Sequence, residues 1–321
     1  MKTMMIGLAC VAMCASLATP SHAGEPRDIT AIGPQGDLAG TLIPAAKGKP
    51  TVLIVPGSGP TDRDGNNPLG VTSASYRLLA QALVQRGIGS VRIDKRGLFA
   101  SKAAIPDPND VTIAAYAEDV HSWIAAARAE TGADCLWVLG HSEGGLITLA
   151  AAQKPAGVCG VLLVASMGRK AGAIIREQLK ANPANAPILP DAFAAIDSLE
   201  AGERVSVEGM HPALLVLFNP SLQGFLIDLM RRDPAALISS LEVPALIVAG
   251  GKDLQTPVVD SEALAAAQPE AKLVILPTMN HVLKVVDGDA RSANLATYSD
   301  SSLPIHPDLV EAIAGFVSGV D

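Results

Sequence analysis

Short apolar runs alternate with longer segments of helical periodicity along most of the chain. Residues 29–32 and 38–43 predict an antiparallel strand pair around Gly33-Pro34-Gln35-Gly36. Further strands are expected at 51–55, 90–93, 135–139, 160–164, 245–249 and 273–276, with helices at 76–86, 113–130, 146–150 and 307–317. Apolar strands that alternate with helices imply a mostly parallel sheet covered on both faces. The alternation fails over residues 168–241. That stretch holds helix-like segments and no convincing strand, and Pro183, Pro187, Pro190, Pro212, Pro220 and Pro234 punctuate it. It reads as a helical cap inserted between two strands, over the edge where the strands end. Its apolar runs, 214–218 and 225–227 with Leu229 and Met230, read first as packing against the core and second as the lining of an apolar pocket.

Gly140-His141-Ser142-Glu143-Gly144 stands between the 135–139 strand and the helix that follows. A strand, a sharp G-x-S-x-G turn and a helix form a nucleophile elbow, and the glycines permit close backbone approach where a Cβ would clash. A serine hydroxyl needs a histidine base, and the base needs a carboxylate that holds its tautomer. On such a fold the chain order is Ser, then Asp or Glu, then His. Of six histidines, His22 lies in the N-terminal segment, His121 in a helix upstream, His141 inside the elbow and pointing away from the serine, His211 in the cap, and His306 at a helix start. His281 alone follows a strand in a loop, Pro277-Thr278-Met279-Asn280-His281. Asp253 is the first carboxylate after the 245–249 strand. Asp260 falls in the next helix, where solvent exposure is expected, and Asp287 and Asp289 come too late. The candidate triad is therefore Ser142, Asp253 and His281. Oxyanion donors are expected from the backbone N–H of Glu143 and from that of Ser58, in the glycine-rich loop Pro56-Gly57-Ser58-Gly59-Pro60, with Gly59 as the alternative to Ser58. That loop lacks the Gly-Lys-Ser/Thr ending of a phosphate cradle. The Glu143 carboxylate is expected to make structural contacts or face the cleft rim. Asp94-Lys95-Arg96-Gly97 reads as a charged turn tied to neighbouring loops by salt bridges, and Asp62, Arg63 and Asp64 as a brace for the glycine-rich loop or a substrate contact.

Composition narrows the classes. With 49% hydrophobic residues in 321, the chain can bury a sizeable core. Its formal net charge is −8 and no basic run is present, which argues against nucleic acid as a partner. Lys2, an apolar core over 4–17 and Ser21-His22-Ala23 predict a cleaved secretory leader over residues 1–23 and a periplasmic or secreted product. No later segment is long and apolar enough to span a bilayer. Export leaves Cys135 and Cys159, each near the start of neighbouring parallel strands. An oxidising compartment favours a disulfide over two buried thiols. No metal-ligand spacing is present and no cofactor is expected.

Four stretches, residues 56–65, 94–97, 140–145 and 233–255, resemble the α/β-hydrolase superfamily, and more closely bacterial carboxylesterases of the serine-aminopeptidase-like group. The loop after Arg96-Gly97 departs from the usual glycine-rich pattern and reads Leu98-Phe99-Ala100-Ser101. The resemblance implies an α/β-hydrolase fold, a mostly parallel sheet flanked by helices, with the core over 24–167 and 242–321 and a helical cap over 168–241. It implies a Ser142/Asp253/His281 triad acting on short acyl esters, and the helical, apolar cap predicts a small-molecule ester of short to medium acyl length. Aminopeptidase, thioesterase and acyltransferase chemistry run on the same triad, and a silent binding module would keep the fold without it.

Overall fold

The computed structural model describes residues 24–319, so the leader expected over residues 1–23 lies outside the described residues. Eight strands form one sheet: β1 (Arg27–Ile32), β2 (Asp37–Ile43), β3 (Thr51–Val55), β4 (Gly89–Ile93), β5 (Leu136–His141), β6 (Val158–Val164), β7 (Ala245–Gly250) and β8 (Lys272–Leu276). Their order is β1-β2-β4-β3-β5-β6-β7-β8. β1 pairs with β2, and β2 with β4, antiparallel. Every other neighbour is parallel.

Burial explains why the inner strands are apolar at every position. All of β3, β4 and β7 is buried. Along β3, Leu53 and Val55 join the core on one face, and Val52 and Ile54 the core on the other. The first three helices are α1 (Ser75–Gln85), α2 (Ile113–Thr131) and α3 (Glu143–Ala152). Leu79 and Leu83 of α1 cover one face, and Trp123 of α2 with Ile147 of α3 cover the other. Between β6 and β7 lie α4 (Ala171–Lys180), α5 (Leu189–Ala201), α6 (Pro212–Leu215), α7 (Gln223–Arg231) and α8 (Pro234–Ser239), with no strand. α9 (Val258–Ala267), α10 (Arg291–Ala296) and α11 (Pro307–Ser318) complete the chain, and α11 packs beside α1. No helix among the described residues is long and apolar enough to cross a membrane.

Asp260 corrects the reading from sequence. It lies in α9 but is fully buried. Its carboxylate accepts the N–H groups of Gly168 and Arg169 and a two-pronged contact from the Arg169 guanidinium, at 2.8 and 3.1 Å. These donors compensate the burial of the charge. They also tie the chain just before α4 to the core, so Asp260 fastens the inserted helices instead of facing solvent.

Cys135 and Cys159 are joined in a disulfide, with Cα atoms 5.2 Å apart. β5 and β6 run parallel, so the bond sits at the end of the sheet where these strands begin. Closing a loop with a sequence separation of 24 stabilises by about 3 kcal/mol on chain-entropy grounds. Reduction is expected to lower unfolding free energy by about that amount and to leave turnover unchanged, because Ser142 lies at the other end of β5. Denaturant unfolding with and without reductant measures the first effect. Two titratable thiols in unfolded, unreduced protein would contradict the bond.

Candidate active site

The ends of the parallel strands gather the candidate residues on one edge, the place where sheets of this kind bind ligands. The loop of Gly57 and Ser58 leaves β3, Lys95 follows β4, Ser142 follows β5, Asp253 follows β7 and His281 follows β8. Ser142 sits at the N-cap of α3 with φ 56° and ψ −122°. A side chain in that region carries strain of about 1–3 kcal/mol, sustained only where the surroundings demand it. Here they do. A Cβ on Gly140 would stand 2.3 Å from the Gly144 carbonyl oxygen, and one on Gly144 would stand 2.3 Å from that of Val55. Only glycines let the turn fold this tightly and present the serine.

Asp253 is fully buried at its side chain, and its Oδ2 lies 2.8 Å from Nδ1 of His281. Oδ1 accepts the N–H groups of Gln255 at 2.7 Å and Thr256 at 2.9 Å, and Oδ2 accepts the Thr256 hydroxyl at 2.8 Å. Burial alone would raise the Asp253 pKa. The facing His281 and these donors outweigh burial and hold it below the usual carboxylate value. The carboxylate is thus ionised and accepts the Nδ1 proton, and in the neutral imidazole this tautomer leaves Nε2 as the proton acceptor. His281 and Ser142 line the same cavity. The Ser142 hydroxyl makes no hydrogen bond among the described residues. Contacts of this kind are commonly long in free enzymes and tighten around substrate.

Ser58 and Glu143, the two expected donors, also line this cavity, and their side chains are joined. The Ser58 hydroxyl donates to Oε2 of Glu143 at 2.9 Å. The other carboxylate oxygen faces Lys95 Nζ at 3.4 Å, and that ammonium donates to the Gly57 carbonyl at 2.7 Å. Both Lys95 and Glu143 are buried. A buried charge without its partner is costly, so each fixes the other. The Glu143 carboxylate therefore clamps the glycine-rich loop against the elbow. The rest of the charged turn is structural: Asp94 takes Arg63 at 2.8 Å, and Asp119 takes Arg96 at 2.6 Å. This leaves Arg63 as a brace. Of the other histidines, His211 and His306 cap α6 and α11 through Nδ1, His121 sits within α2, and His141 packs against the His281 ring.

The cavity measures about 640 Å³. Met167, Ile174, Ile175, Leu217, Phe225 and Leu226 make an apolar wall, most of it from the inserted helices. Thr61, Asn67, Gln255 and Tyr298 supply neutral polar groups elsewhere on its lining. Among its lining residues Glu143 is the one carboxylate and Lys95 the one Lys or Arg side chain, and they face each other.

The profile of the family described as "Serine aminopeptidase, S33" matches residues 69–198. Esterase EstD of Thermotoga maritima is 28% identical over 276 residues, which cover 84% of this chain and 62% of that protein. The chain thus spans somewhat under two thirds of that relative's length. Among solved structures, a malate-bound thermophilic esterase from Thermogutta terrifontis aligns at TM-score 0.54 and 18% identity, over 92% of this chain and 99% of that one. The alpha/beta hydrolase GrgF from Penicillium sp. sh18 aligns at TM-score 0.56 and 22% identity, over 80% and 91%. At these identities the structural likeness is one of fold.

Proposed function

We propose that this α/β-hydrolase is an exported serine carboxylesterase that cleaves neutral esters of short to medium acyl chains. Ser142 attacks the ester carbonyl while Nε2 of His281 takes its proton. Asp253 holds His281 in the required tautomer and stabilises its charged form. The N–H groups of Ser58 and Glu143 receive the developing oxyanion. His281 then returns the proton to the leaving alcohol, and water resolves the acyl-enzyme by the same route. The observation that carries this reading is the 2.8 Å Asp253–His281 couple opening onto the cavity that Ser142 lines. The apolar wall suits the acyl chain. The disulfide and the leader-like N-terminus support export.

The second reading is an aminopeptidase, in line with the name of the matching family. A free α-ammonium in a dry pocket needs a carboxylate partner. The one carboxylate lining this cavity is already held by Lys95 and Ser58, which favours uncharged substrates. p-Nitrophenyl butyrate is therefore expected to be turned over with kcat/KM at least roughly 100-fold above that of aminoacyl p-nitroanilides. Across p-nitrophenyl esters, rates are expected to peak at short or medium chains, with no jump above the solubility limit. Faster anilide hydrolysis, or a maximum at long chains with interfacial activation, would contradict this specificity.

A further inference from the structure

The hydrogen bonds around His141 have only one consistent direction. Its Nε2 lies 2.8 Å from the backbone carbonyl oxygen of His281. A carbonyl only accepts, so Nε2 carries the ring proton. Nδ1 is then bare, and the Tyr76 hydroxyl 2.8 Å away must donate to it. The Tyr76 oxygen in turn accepts the N–H of Gly57 at 3.1 Å. Both side chains are buried. Burial lowers the His141 pKa to about 3 and raises that of the Tyr76 hydroxyl, so both stay neutral at any working pH.

This chain of bonds joins three segments far apart in sequence. Gly57 precedes the expected oxyanion donor Ser58, His141 precedes Ser142, and the terminal acceptor belongs to His281 itself. The packing leaves no slack between them. A Cβ on Gly57 would lie 3.1 Å from Cβ of Ser142, and the His141 and His281 rings stand 4.7 Å apart. We propose that Tyr76 and His141 are positioning residues, a neutral hydrogen-bonded strut that sets the oxyanion loop and the base in register with Ser142. The strut rests on the esterase reading above. It acts through its neighbours, so its loss displaces donors and base without removing either. Misplacement by about 1 Å at a reacting centre costs up to roughly 100-fold in rate.

The test compares Tyr76→Phe, His141→Leu and His141→Gln with wild type and Ser142→Ala on p-nitrophenyl butyrate. For the chains that keep Ser142, turnover is counted per Ser142 titrated with a p-nitrophenyl phosphonate, so that unfolded protein drops out; Ser142→Ala is counted per folded chain. Tyr76→Phe keeps the ring and deletes the hydroxyl. It is expected to lower kcat roughly 10- to 100-fold with KM shifted less than about threefold. His141→Leu should do the same. His141→Gln should recover most of the loss, because an amide presents an acceptor and a donor much as the two ring nitrogens do. A purely structural role would lower the melting temperature and leave kcat per titrated site at the wild-type value, and that result would overturn the strut. Glutamine performing no better than leucine would overturn it too. If the His141 variants do not fold, Tyr76→Phe decides alone. Activity surviving in Ser142→Ala would instead sink the esterase reading on which the strut rests.

Discussion

Ser142→Ala is expected to lower ester turnover by at least about 10⁴-fold and to leave the protein folded. The lost hydroxyl makes no hydrogen bond among the described residues, so no buried partner is orphaned by its removal. The positive φ of 56° at this position is imposed by Gly140 and Gly144 and should persist with alanine. Substrate affinity should change little, because the cavity wall and the proposed Ser58 and Glu143 oxyanion donors remain. Steady-state kinetics on p-nitrophenyl butyrate, with thermal unfolding of the same preparation, separates the two effects. A loss of activity that merely tracks unfolding would not support the assigned role.

Asp253→Asn is expected to cost roughly 10⁴-fold in kcat through a proton on the wrong nitrogen. Two backbone N–H groups point at Oδ1. An asparagine must place its amide oxygen there, since its NH2 group cannot face two donors. That choice turns the amide nitrogen toward Nδ1 of His281. A donor opposite Nδ1 forces the ring proton onto Nε2, the atom that accepts the serine proton in the proposed mechanism. Size, burial and most hydrogen bonds survive, so the variant should fold. An asparagine variant within tenfold of wild type would show that the carboxylate does not set the tautomer.

The strand and helix pattern was legible because β3 to β7 are covered on both faces and so are apolar in sequence, while turns fall at glycine and proline. Ser142 could be found from its flanking glycines, since their close approach leaves a sequence signature. Asp253 and His281 could be picked by chain order, and the structure brings their side chains within 2.8 Å. What could not be read was which loops meet once the strands are in place. Tyr76 lies 65 residues from His141, and His141 lies 140 from His281. Nothing local in sequence marks a tyrosine at a helix start as the acceptor of a loop N–H. Lys95 and Glu143 pair for the same reason, across two loops that share an edge only after folding. Asp260 was misread because a carboxylate in a helix is usually solvated, and the Arg169 that binds it comes from the far side of the insertion.

Covalent trapping tests the nucleophilic role of Ser142 most directly. A p-nitrophenyl alkylphosphonate mimics the tetrahedral intermediate and traps an activated serine. One equivalent is expected to attach per chain, peptide mass mapping to place it on Ser142, and esterase activity to fall in step with labelling. Attachment at another residue, or esterase activity that survives stoichiometric labelling of Ser142, would contradict it.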